Sequence, residues 1–70
     1  MTPSSATEER GLGEALRILA RHAPVATPLT IENARAAVEL ARQRTAGNDR
    51  DVLEVVHATE TLSFYFGVPL

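Results

Sequence analysis

Apolar positions recur along this chain with a period near 3.6, in three runs separated by glycine and proline, and this pattern predicts three helices. In the first run, a step of about 100° per residue places Leu12, Ala15, Leu16, Leu19, Ala20 and Ala23 within an arc of about 140°. Arg10, Glu14, Arg17 and Arg21 lie opposite, and Ile18 falls outside the apolar arc. Ser5-x-x-Glu8 has the form of a capping box, in which serine and glutamate satisfy each other's free backbone donors. Gly11 and Gly13 each weaken the early turns by about 1 kcal/mol relative to alanine, which moves the expected start toward residue 12. Residues 1–5 are small, polar and proline-containing and are expected to form a disordered tail, leaving 6–70 as a single three-helix domain.

Pro24 and Pro28 suit no helix interior and mark a connection. Thr27 followed by proline fits a helix cap and first position, with Thr30 as a competing cap one turn later. The second helix then carries Ile31, Ala34, Val38, Ala41 and Thr45 inward, flanked by Ala37 and Leu40. Glu32, Arg35, Glu39 and Arg42 make i,i+3 pairs outside. Gly47 is suited to the left-handed residue after a helix, and Asn48 or Asp49 caps the third helix, with Asp51 in its first turn. The short Ala-Gly-Asn connection implies an antiparallel hairpin of helices two and three, so the expected fold is an all-α three-helix bundle. Along the third helix, Val52, Val55, Val56, Thr59, Leu62, Ser63 and Phe66 occupy an arc of about 120°, and Leu53 and Phe64 form a second ridge about 60° further round. Gly67 and Pro69 stop the helix, and residues 64–70 admit either a helical or an extended reading.

Composition sharpens this picture. Eleven of the 31 apolar residues in this 70-residue chain are alanine, which leaves twenty larger apolar side chains. Burial at about 25 cal/mol per Å² then barely offsets about 1.5 kcal/mol of ordering cost per residue. Small domains make up such a deficit with disulfides, a metal or a partner subunit. Cysteine is absent, which excludes disulfides, thiolate metal sites and a cysteine nucleophile. His22 and His57 lack the spacing of a zinc module, and no cofactor is expected. Oligomerisation or a protein partner remains.

Seven arginines against nine acidic residues give a formal charge of −2, without the basic stripe that neutralises phosphates, so nucleic acid is a disfavoured partner. A dimeric helix-turn-helix regulator stays as an alternative, because a dimer would group Arg35, Arg42, Arg44 and Arg50. The objection is that residues 49–54 would turn Asp49, Asp51 and Glu54 toward phosphates. No apolar run is long enough to span a membrane, and residues 1–9 lack the basic and apolar regions of a signal peptide, so a cytoplasmic protein is expected.

Leu53, His57, Glu60 and Phe64, spaced i, i+4, i+7 and i+11, set an imidazole and a carboxylate on an apolar ridge. That pair admits three roles: a general base oriented by Glu60, a metal half-site completed by symmetry, or an edge histidine hydrogen-bonded at i,i+3. Ile31-Glu-x-x-Arg35, the turn with Gly47 and Asp49, Val52-Leu53 and Phe66 resemble the helical hairpin of small aspartyl-phosphate phosphatases of sporulating bacteria, over about half the chain. The resemblance implies a phosphatase-like activity centred on His57 and Glu60. Where that family carries Ser-Gln-x-Leu-Asp, this chain has Val56-His-Ala-Thr-Glu60, which keeps only the acidic residue.

The surplus of large apolar side chains carries more weight. Ile18, Leu40, Leu53, Phe64, Tyr65, Val68 and Leu70 exceed what one small core accommodates, and Phe64, Tyr65 and Phe66 cluster the aromatics at one helix end. Either the C-terminal segment folds back over its own core, or this surface binds a protein. The second alternative gives the expected function: a non-enzymatic helical binding module, acting as regulator, inhibitor or small assembly subunit, encoded by a host or a phage, and self-associating as a homodimer. Its contact residues would be Leu53, His57, Glu60, Phe64, Tyr65, Phe66, Val68 and Leu70.

Overall fold

A computed structural model describes residues 3–70, with side chains from residue 11 onward. Three helices, α1 (Pro3–His22), α2 (Ile31–Thr45) and α3 (Asp49–Phe66), form an all-α bundle as the periodicity predicts. Of the tail expected over residues 1–5, Met1 and Thr2 lie outside the described residues. The backbone of α1 begins at Pro3, ahead of the Ser5 cap. A proline at the first position has no amide hydrogen to leave unpaired.

Local chemistry fixes the other ends. Thr30, not Thr27, caps α2: its hydroxyl oxygen accepts from the Asn33 amide at 3.1 Å. The Asn33 side-chain amide donates back to the Pro28 carbonyl at 2.7 Å, so the segment expected to be the first helical turn is held outside the helix. Asn48 caps α3, accepting from the Asp51 amide at 3.2 Å. Gly67 closes α3 in the left-handed conformation, φ 72°, and its amide donates to the Ser63 carbonyl. Residues 64–66 are therefore helical, and only the segment after Gly67 leaves the helix.

Helix directions follow from contacts at the ends. Arg44, at the end of α2, donates to the carbonyl of His22 at the end of α1, so these two helices run the same way. His22 also meets Glu54 near the start of α3, while Arg35 near the start of α2 reaches the Pro69 carbonyl beyond its end. Hence α3 is antiparallel to both, and the α2–α3 hairpin is as expected. Parallel neighbours in sequence need a connection that returns along the bundle. Residues 23–30 supply it. Eight residues reach about 26 Å when extended, enough to pass the roughly 22 Å length of α2.

The core is small and rich in alanine. Its buried apolar residues are Ala15, Leu19, Ala23, Ala34, Ala37, Val38, Ala41, Val55, Ala58 and Leu62 among the described residues, six of them alanine. Leu12, Leu16, Ile18, Val25, Leu40, Phe66 and Leu70 pack against its margin. Ile18, Leu40 and Leu70, counted as surplus in the sequence, are therefore partly used. Thr45 and Thr59 are buried as their inward register implies, and each donates its hydroxyl to the carbonyl four residues back, at 2.8 and 2.6 Å.

The inward face of α3 is rotated from the one its hydropathy favours. Val55, Ala58, Thr59 and Leu62 are buried, whereas Val56 is exposed. The most extensive helix pairing is α1 with α3. To face α1 as well as α2, α3 turns Ala58 inward, a residue whose small side chain adds little to hydropathy but permits close approach.

Candidate functional site

The rotation of α3 determines what remains outside. At about 100° per residue, Val55, Ala58, Thr59 and Leu62 span an arc of about 100°, and Leu53 and Phe64 point almost directly away from its centre. Leu53 is 68% exposed and Phe64 79%, with Tyr65 at 54% and Val56 at 41%. His57 and Glu60 are also exposed and lie on the same outward ridge.

The structure divides the eight residues expected to bind a partner. Leu53, His57, Glu60 and Phe64 form one outward line. Tyr65 lies about 100° round the helix from Phe64 and packs edge-to-face on Phe66, with ring centroids 5.0 Å apart. Phe66 and Leu70 lean on the chain's own core. The Leu70 amide donates to the Ser63 hydroxyl at 2.9 Å, which folds the C-terminal segment back. Val68 is half-buried in that fold-back. Between this segment and α3 runs an open, largely apolar groove, with Phe64, Val68 and Leu70 on its walls and Arg42 and Glu60 at its rim.

His57 and Glu60 form no salt bridge or hydrogen bond with each other; among the side chains described from residue 11 onward, the only basic group within salt-bridge distance of a carboxylate is His22, 3.1 Å from Glu54. Both side chains of the 57/60 pair are open to solvent, so the arrangement provides neither an oriented imidazole nor exclusion of water.

The histidine that does find a carboxylate is the other one. His22 Nε2 lies 3.1 Å from Glu54 Oε2, and Asp51 brings a third ligand-type atom, all within 4.8 Å of one another. These are the donor types a divalent cation takes. Positive charge stands beside these carboxylates already: Glu54 shares a hollow with Arg17 and Arg21 as well as Glu14, and Asp51 sits at the positive end of the α3 dipole. The cluster reads as a clasp joining the end of α1 to the start of α3. The carboxylate partner of His22 lies 32 residues away in the chain, and no local spacing signals it.

Of the four arginines grouped in the helix-turn-helix reading, two are engaged with backbone carbonyls: Arg35 with Pro69 and Arg44 with His22. No helix among the described residues is long and apolar enough to cross a membrane. Comparison with protein-family models, with curated proteins and with solved structures finds no match.

Proposed function

We propose that this chain is a helical protein-binding module that works by presenting the outward ridge of α3. The observation that carries this reading is the exposure of Leu53 and Phe64 on a helix whose opposite face holds the core. Folding does not use these side chains, and leaving two large apolar groups in water forgoes several kcal/mol of transfer free energy, which burial against a partner recovers. Clusters of large apolar groups rimmed by polar side chains mark interfaces, and aromatic residues anchor them. Such a module acts as a regulator, an inhibitor or a small subunit of an assembly, with no chemistry of its own.

The test compares the tagged chain with the Leu53→Ser/Phe64→Ser variant and with a Gln43→Ser control in chemical cross-linking and recovery from cells. Helicity by circular dichroism should match in all three. The reading expects proteins cross-linked by the native chain and by the control to be lost with the ridge variant. Equal recovery by all three would contradict it.

A further inference from the structure

We propose that the occupant of the α3 ridge is a second copy of this chain, bound antiparallel about a two-fold axis that passes between residues 58 and 59. This rests on the ridge being a binding face, and it names the partner. The ridge residues are spaced four, three and four apart, which is symmetric about that midpoint. On an α-helix they lie within an arc of about 60°. Turning one copy of α3 end over end about the midpoint sets Leu53 against the partner's Phe64 and His57 against the partner's Glu60. A two-fold interface repeats each contact. Apolar therefore meets apolar twice, and imidazole meets carboxylate twice. A parallel pairing would instead set His57 on His57 and Glu60 on Glu60, and like groups in register disfavour it.

Two features of the structure and an area estimate favour pairing through this ridge. His57 and Glu60 are exposed and have no side-chain partner among the described residues, so their polar ends are available across the axis. The ridge faces away from the core, so α1 and α2 of each copy stand behind their own α3 and do not obstruct the approach. Leu53 and Phe64, with the stems of His57 and Glu60, offer on the order of 400 Å² per copy, judged from ordinary side-chain areas. That is about half of the roughly 800 Å² per partner of a standard interface, which implies a reversible pair and not an obligate dimer.

The chain has no cysteine, so single thiols can be placed cleanly. Leu53→Cys and Phe64→Cys variants are mixed in equal amounts, treated with a short bis-maleimide linker, and the products resolved by mass. The antiparallel pair sets the two different sites face to face. It separates identical sites by about 16 Å along the helix axis. The mixed product should exceed either same-site product by about tenfold and should disappear on dilution. In sedimentation, His57→Glu should weaken self-association by about tenfold, and adding Glu60→Lys should restore it to within about threefold.

Same-site products in the majority, or no restoration by the second substitution, would overturn the register. Sedimentation as a single 7.6 kDa species at every concentration would overturn the second copy as occupant. In that last case, a heterologous protein still captured only when Leu53 and Phe64 are present would leave the binding face standing. Capture insensitive to both residues would remove the binding face as well.

Discussion

Thr27 and Thr30 offer the same side chain to the start of α2, and only Thr30 uses it. Both precede residues that a helix accepts, so local sequence does not separate them. The choice is made by distance: the connection must return along the bundle before α2 begins, and a start at Pro28 would leave it too short. Thr30→Ala should therefore lower stability by about 1 kcal/mol in urea titration, and Thr27→Ala by less than about 0.5 kcal/mol. The two histidines divide in the same manner. His22 is packed between helices against Glu54, and His57 stands in solvent. Urea titration should show a loss of about 1 kcal/mol for His22→Ala and no measurable change for His57→Ala. Neither assignment was legible in the sequence, because a helix-end histidine and a mid-helix histidine look alike until the neighbouring helix is in place.

Helices α2 and α3 show which elements a pattern determines. The inward stripe of α2 appears as its period implies, with Ala34, Val38, Ala41 and Thr45 buried; Ala37 joins them, and Ile31 at the first turn is half-buried. Its polar face is continuous and leaves one orientation. In α3, apolar residues cover most of the circumference, so hydropathy sets the inward arc only to within about 50°. The observed rotation brings Ala58 inward and leaves Val56 exposed. Leu62 and Leu53 give a direct check on that orientation, since they are the same residue type on one helix. Leu62→Ala should cost about 3 kcal/mol by denaturant unfolding, because it opens a cavity in the core. Leu53→Ala should cost less than about 0.5 kcal/mol in the dissociated chain. Similar losses at both positions would mean that the helix is turned differently.

At the scale of the whole molecule, the thin core anticipated from composition takes a definite form. Four of the ten buried apolar side chains are larger than alanine: Leu19, Val38, Val55 and Leu62. The three-helix class and the α2–α3 hairpin were legible because they depend on period and loop length. The use of Ile18, Leu40 and Leu70 as marginal packing was not, because it depends on the return of the α1–α2 connection and the fold-back after Gly67. What remains outside is the α3 ridge. If a second copy covers it, binding favours the folded state by mass action, and the melting temperature should rise by several degrees between micromolar and millimolar chain. The Leu53→Ser/Phe64→Ser variant should melt at one temperature throughout that range.

On the proposed reading, the outward ridge of α3 is surplus to folding and serves association. The most direct measurement is urea unfolding of the native chain and of Leu53→Ser/Phe64→Ser, both at a concentration where each is dissociated, beside sedimentation of both at high concentration. The unfolding free energies should agree within about 0.5 kcal/mol, with association lost in the variant alone. A variant destabilised by 2 kcal/mol or more would place Leu53 and Phe64 in the fold itself, and unchanged association would place the interface elsewhere; either result would overturn the proposed role of the ridge.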